Sequence, residues 1–381
     1  MNKGYKYLLM LGHLCTDINQ GALPAILPFL IVHHNLSYAS AASLVMAANL
    51  VSSVIQPFLG YLGDKTSRPW LMSVGIVLAG AGVALIGFSQ SYWFTLTAAA
   101  ISGFGIALFH PEGGKLANYA AGEQKGAGIS VFAVGGNLGF AIGPIIASVA
   151  LAAWGLTGTA IFLLPTAIVA AIILWFTPRL KQLVPLTHKN NAPQAKQEKT
   201  DDWGSFAKVA SLIFCRSIVH YGLMTFIPLY FIGRFLLTEV AANSNLTVFS
   251  LVAAVSTLVG GRIADKIGLR RMIYLCSFAL APLVFIMLQM NISLFATLLF
   301  IPIGFAMNGA YSSIIAMGQS FVPNRIGLAS GILLGLAVSV GGLCAPIIGR
   351  VGDTFGLMTA MYTIMGVTVL GLLLTALLPR P

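Results

Sequence analysis

A carboxylate, a guanidinium and two imidazoles stand inside stretches that are otherwise apolar, where a polar group is costly to keep and so marks a site. Asp17 lies about 12 residues into the first apolar run, roughly 18 Å along a helix at about 1.5 Å per residue. An ionised aspartate near a bilayer centre costs about 2.5 to 3.5 kcal/mol on insertion scales, so this one must face a cavity, find a partner or take up a proton. It is assigned as the proton carrier, against the alternative of a carboxyl that only caps polar groups of a neighbouring helix. Arg216 sits at similar depth in the seventh run, one residue from the position that repeats Asp17, and His220 follows one helical turn later. A guanidinium there can hold an anionic substrate group or act as counter-ion to Asp17. A structural salt link between two halves of the protein is the alternative.

His110, Glu112 and Lys115 come near the end of the fourth run, and Glu112 and Lys115, three apart, share a helix face and are expected to pair. His110 titrates near physiological pH. With Glu112 it joins Asp17 as a candidate for proton coupling or an inward gate, against a helix-terminal polar network fixed by Pro111. Gln20, Asn49, Gln56 and Asn308 are uncharged donors and acceptors available to a substrate path. Cys15, Cys215, Cys276 and Cys344 lack metal-site spacing and read as small packing residues. His-Glu-x-x-His is absent, and His13 and His110 have no cysteine or carboxylate set at zinc-ligand spacing, so no metal and no cofactor are expected. No Gly-x-x-x-x-Gly-Lys-Ser/Thr loop is present for a nucleotide motor. A membrane-embedded enzyme and a non-transporting sensor stand as alternative classes.

These groups need a scaffold, and composition names its solvent. Of 381 residues, 57% are hydrophobic and 8% charged, with a mean hydropathy of +0.90, far from the charged fraction of about a quarter in soluble domains. Apolar runs long enough to cross a bilayer recur about twelve times, at roughly 5–32, 38–62, 70–88, 92–119, 127–152, 157–177, 205–235, 239–263, 272–290, 294–321, 326–350 and 355–378. The first run is too long for a cleavable signal and is expected to remain as a span. The net charge of +11 reflects topology rather than nucleic-acid binding: 18 of the 21 Lys and Arg fall on one side of this arrangement, which the positive-inside rule makes cytoplasmic, with both termini.

The chain is also written twice. Gly60-Tyr61-Leu62-Gly63-Asp64-Lys65 and Gly261-Arg262-Ile263-Ala264-Asp265-Lys266 lie 201 positions apart, and 27 residues before each aspartate stands a helix N-cap, Ser37 and Thr238. Pro28 and Pro228, and Gly103-Phe104-Gly105 and Gly304-Phe305-Ala306, keep the same offset within one residue. The expected domains are therefore an N-terminal six-helix half, 1–177, a solvated cytoplasmic linker, 178–203, and a C-terminal six-helix half, 204–381, enclosing a cavity and rocking about it. Asp64, Lys65, Arg68, Asp265, Lys266 and Arg270 are candidates for a gate or latch on the cytoplasmic face, against a solvated turn that only sets topology.

Taken together, the doubled six-helix pattern, the central linker and the Gly-x-x-x-Asp-Lys hairpins resemble the major facilitator superfamily. Asp17-Ile18-Asn19-Gln20, Gln56-Pro57, Phe109-His110-Pro111-Glu112 and Gly135-Gly136-Asn137-x-Gly139 are similar to its fosmidomycin-resistance branch. The resemblance implies an all-α polytopic fold of twelve transmembrane helices and a proton-coupled exporter of a drug or metabolite in the plasma (inner) membrane, working as a monomer on a small molecule and protons. A proton-coupled importer or facilitator is the alternative within that class. Asn137, Gly139, Gly143 and Pro144 resemble part of the antiporter glycine-proline motif and are read as helix packing. Ser67 and Pro69 depart from the family's first hairpin, and Ala99 stands near where many relatives carry an arginine linked to proton handling, so other residues must serve.

Overall fold

The computed structural model describes residues 3–65, 67–121, 125–183, 200–322, 329 and 331–378; the Asp64 and Lys65 side chains and linker residues 184–199 lie outside the described residues. Helices α1 (Lys3–His34), α2 (Tyr38–Lys65), α3 (Trp70–Ile86), α4 (Tyr92–Ala121), α5 (Lys125–Trp154) and α6 (Leu163–Lys181) form the first half. Helices α7 (Trp203–Phe235), α8 (Glu239–Ile267), α9 (Leu269–Gln289), α10 (Ser293–Leu298), α11 (Phe300–Asn308), α12 (Tyr311–Phe321), α13 (Ala337–Phe355) and α14 (Leu357–Ala376) form the second. Among the described residues, nine helical runs are long and apolar enough to cross a membrane. One of these, Val131–Lys181, contains α6 and most of α5, and another, Ser293–Phe321, is the broken series α10 to α12. With the shorter apolar α3, and α13 entered through the π-helical turn Gly331–Leu336, they reproduce the twelve expected runs. Trp93, Trp175 and Phe278 point outward and exposed, as side chains in contact with lipid do.

Local sequence explains the helix ends. Ser37 Oγ accepts from Ser40 N at 3.1 Å and Thr238 Oγ1 from Ala241 N at 3.3 Å, so both expected N-caps are in place. Asp202 caps α7 by accepting from Ser205 N at 2.9 Å, and its bonds to Ser205 hold its carboxyl below the usual carboxylate range. Two ends differ from expectation. The eleventh span, expected to stop near 350, continues to Phe355 and ends where Gly356 takes φ +87°, a conformation that favours glycine. The tenth, expected as one helix, breaks twice, and the second break, between Asn308 and Tyr311, has a cause outside the helix. Arg216 Nε donates to Met307 O at 3.0 Å, occupying the carbonyl that Tyr311 N would use in a continuous helix.

The core is shared at one end and divided at the other. One buried apolar cluster joins both halves through Ile26, Leu30 and Leu44 with Phe226, Phe249 and Ile348, towards the end opposite the charged hairpins. Towards the hairpin end each half keeps its own cluster, around Leu9, Phe109 and Ile173 in the first and Val209, Ile273 and Met317 in the second. Helices α2 and α13, and α5 and α8, form the principal seams between the halves. Among the described residues, the halves thus share one apolar core at the first end and have separate cores at the second.

Within the first half α1 and α5 are in intimate contact because α5 presents glycine to α1. A Cβ on Gly139 would lie 2.8 Å from Ile18 N, and one on Gly143 would lie 2.8 Å from Ala22 N. Replacing Gly139 with valine should force the helices apart at an overpacking cost of about 1 to 3 kcal/mol. Its expected result is a melting temperature in detergent lower by at least about 3 °C, measured by intrinsic fluorescence, and an unchanged melting curve would contradict the packing described.

Candidate functional site

Helix α1 places His13 and Asp17 on one face, four residues apart, and α4 brings His110 against them. His13 Nε2 lies 3.2 Å from Asp17 Oδ2, His110 Nε2 lies 3.2 Å from Asp17 Oδ1, and the two Nε2 atoms are 3.1 Å apart. Asp17 is buried. The other nitrogen of each ring is already committed: His13 Nδ1 is 2.7 Å from Phe132 O and His110 Nδ1 is 2.9 Å from Ile106 O. A carbonyl only accepts, so both Nδ1 atoms carry hydrogen, and each Nε2 is a bare lone pair unless a further proton is bound. Two lone pairs and an ionised carboxylate cannot converge at 3.1 to 3.2 Å without repulsion, so the cluster holds at least one further proton, on an Nε2 atom or on the carboxyl.

Neighbours fix this arrangement. The His13 ring stacks on Phe132 with centroids 4.1 Å apart and meets His110 edge-on at 5.0 Å. Gly136 leaves the room, since a Cβ there would lie 2.6 Å from His13 Nε2 and 2.7 Å from Asp17 Oδ2. His13 was absent from the sequence-based candidates, and the reading that His13 and His110 have no cysteine or carboxylate set at zinc-ligand spacing is corrected: Asp17 completes the set in space. These three are the one His/Cys/Asp/Glu group among the described residues whose donor atoms, all within 4.8 Å, could share a metal ion. Every edge is also within hydrogen-bond distance.

Glu112 is buried but belongs elsewhere. It pairs with Lys115 at 2.8 Å, as its spacing suggested, and accepts a hydrogen bond from Ser67 Oγ, tying α4 to the first hairpin rather than to Asp17.

A cavity of about 310 Å³ opens between the halves, lined by Asn137 and Phe140 of α5 and by Arg216, His220, Tyr221, Asn308 and Tyr311 of the second half. Arg216 Nε donates to Met307 O, one terminal nitrogen donates to Asn308 Oδ1 at 2.8 Å, and the guanidinium carbon lies 4.2 Å from the Tyr311 ring centroid. These neutral partners orient the cation without neutralising it, and three of its five N–H groups remain for other acceptors. The counter-ion role towards Asp17 is not what the geometry provides, because Asp17 has its imidazoles and Arg216 has Asn308. The broken α11–α12 segment lining this space is the kind of irregular backbone that membrane interiors tolerate beside cavities.

His220 lines the cavity, with Nδ1 buried and unbonded. Gln20 donates to Asn49 Oδ1 at 3.1 Å, and both border an adjoining small space with His220 and Tyr221. Tyr221 therefore lines both spaces. Gln56 instead donates to Ser52 Oγ within its own helix at 2.7 Å. Asn137, read as packing, turns its residue to the cavity, whereas Gly139 and Gly143 face α1. Arg68, Asp265 and Lys266 are exposed, and Arg270 donates to Leu378 O at 3.0 Å, holding the end of α14 in its own half.

The sequence profile of the Major Facilitator Superfamily matches residues 9–346. The chain belongs to the major facilitator superfamily. Among its relatives, the fosmidomycin resistance protein of Escherichia coli (strain K12) is 30% identical over 351 residues, spanning 91% of this chain and 85% of that one. An uncharacterised MFS-type transporter of Bacillus subtilis (strain 168), YfnC, is 31% identical over 383 residues, spanning 97% and 92%. In fold, this major facilitator protein is similar to a bacterial homologue of the human lysosomal transporter Spinster in an inward-facing, unoccupied conformation, with a TM-score of 0.83, 14% identity and coverage of 99% and 96%. It is a multi-pass membrane transporter and not an enzyme.

Replacing Gly136 with alanine should displace His13 or Asp17 and lower transport at least tenfold while leaving the protein folded and monodisperse. Transport at the native rate by that variant, measured in the assay below, would contradict the contact geometry at Gly136.

Proposed function

We propose that the protein exports a small organic anion by alternating access, driven by protons that bind the His13–Asp17–His110 cluster. The carrying observation is the cluster itself, a buried carboxylate between two imidazoles whose Nδ1 atoms are fixed, so that protons are gained and lost only at Nε2 and the carboxylate. Supporting the substrate class is Arg216, a cation with neutral partners in a cavity between the halves. Residues 1–177 and 204–381 rock as the two halves, tethered by 178–203, in the inner membrane with both termini cytoplasmic. The end with separate cores is the one that opens inward, and the protein works as a monomer.

Coupling follows from charge. The loaded protein carries the anion outward on Arg216 with the cluster singly protonated, and it returns with a further proton on the cluster and Arg216 unloaded, so each inward proton is exchanged for an outward anion. One proton moving through about 100 mV releases about 2.3 kcal/mol, enough for a gradient of roughly fifty-fold. His110 and Asp17 carry the proton with His13, while Glu112 and the hairpin residues Asp64, Lys65, Arg68, Asp265, Lys266 and Arg270 serve the moving cytoplasmic face. Gln20, Asn49 and Asn308 line the substrate path.

Fosmidomycin, a phosphonate and so an anion near neutral pH, is the first probe, because a relative confers resistance to it. Proteoliposomes should accumulate it against its gradient when a pH gradient is imposed. Asp17→Asn should reduce that accumulation at least tenfold while preserving exchange of fosmidomycin across the membrane. Undiminished proton-driven accumulation by Asp17→Asn would remove the cluster from the mechanism. Asn308→Asp places a carboxylate against Arg216 and should weaken fosmidomycin binding at least tenfold, read as lost thermal stabilisation by the ligand. Binding as tight as in the native protein would place the anion elsewhere.

A further inference from the structure

Helix α13 ends in a third copy of the hairpin sequence. Gly349-Arg350-Val351-Gly352-Asp353-Thr354-Phe355-Gly356 matches Gly261-Arg262-Ile263-Ala264-Asp265-Lys266-Ile267-Gly268 in spacing, down to the terminal glycine, whose φ is +87° in one and +92° in the other. The two copies at 60–65 and 261–268 lie at one end of the molecule and this one lies at the opposite end. Here its carboxylate is engaged across the two halves: Tyr38 N donates to Asp353 Oδ1 at 2.7 Å and Ala39 N donates to Asp353 Oδ2 at 3.1 Å.

The partners are the first two amides of α2. A helix begins with four N–H groups that have no partner inside it. In α2 the first ordinary helical bond is Ala41 N to Ser37 O at 2.9 Å; of the amides before it, Ser37 Oγ takes Ser40 N at 3.1 Å and Asp353 takes Tyr38 N and Ala39 N. The equivalent helix α8 carries its own acid, Glu239, in the first turn, whereas α2 has none. The anion that complements the α2 dipole is thus supplied from the other half. Gly349, one turn before Asp353, makes the approach possible, since a Cβ there would lie 2.8 Å from Ala39 Cα. Asn243 of α8 donates to Ala25 O of α1 at 2.9 Å, a further bond between the halves.

We propose that Gly349 and Asp353 form the outer latch of the transport cycle, a carboxylate of one half that caps α2 of the other, holds the outer face shut in this conformation and lets go when the protein turns outward. Asp353 is exposed, so water replaces it readily on opening, and the latch holds a closed state without trapping it. The inference rests on the rocking of the halves proposed above and needs neither protons nor substrate.

Spin labels on cysteines at His33 of the α1 end and Thr354 of α13, both exposed, report the outer opening by electron–electron distance measurement, in a full-length background whose four native cysteines are alanine. Without substrate or pH gradient, Asp353→Ala should shift the ratio of long to short distances three- to tenfold towards the open form. Asp353→Asn, which keeps one acceptor, should give a smaller shift in the same direction, and Asp353→Glu should stay near the native distribution. Gly349→Val should open the gate as Asp353→Ala does. An unchanged distribution in Asp353→Ala, or in Asp353→Asn if the alanine variant does not fold, overturns the latch and leaves the proton cluster standing. A native distribution with failed transport by Asp17→Asn has the converse meaning.

Discussion

A charged side chain inside a bilayer-spanning bundle is tolerated only if its surroundings compensate it, and Asp17 sets that condition for this molecule. Its compensation is unusual in being made of protons rather than of a fixed cation. Two imidazoles offer it Nε2 atoms, and the carbonyls of Phe132 and Ile106 occupy their other nitrogens, leaving one place for each additional proton to go. Much of the first half serves this arrangement. The glycines of α5 let α1 approach closely enough for Phe132 to reach His13, and Gly136 leaves the volume in which the three side chains meet.

The second half solves a different problem with the same economy of charge. Arg216 is kept oriented by a backbone carbonyl, an amide and an aromatic face, none of which cancels it, and taking the carbonyl of Met307 opens the helix beside the cavity. The proposed proton site and the proposed anion site thus lie on opposite halves, with Tyr221 lining the cavity between the halves. In the proposed cycle, the cluster that spans both halves is the hinge line about which those sites are exposed to one side and then the other.

How much of this was legible in the sequence depends on the range of the interaction. Spans, the caps at Ser37 and Thr238 and the Glu112–Lys115 pair are set within a few residues, and they were read directly. His13 was missed because its significance lies in His110, 97 positions away, although its four-residue spacing from Asp17 was a visible signal. Asn137 was grouped with packing glycines because a motif does not tell which way one member of it turns. The break near Gly309 could not be read from α11 and α12, since its cause is a side chain on α7. Asp353 went unnoticed although its octad repeats a hairpin already recognised, because a copy at the opposite end of the bundle is not expected from a two-fold repeat.

The most direct test of the account is the protonation of His13 and His110 by ¹⁵N magnetic resonance of histidine-labelled protein between pH 5 and 9. The account predicts that both Nδ1 atoms stay protonated throughout, while a proton enters and leaves at Nε2 within that range and this titration changes in Asp17→Asn. Nε2 atoms whose protonation is fixed across the range, or unprotonated Nδ1 atoms, would contradict it.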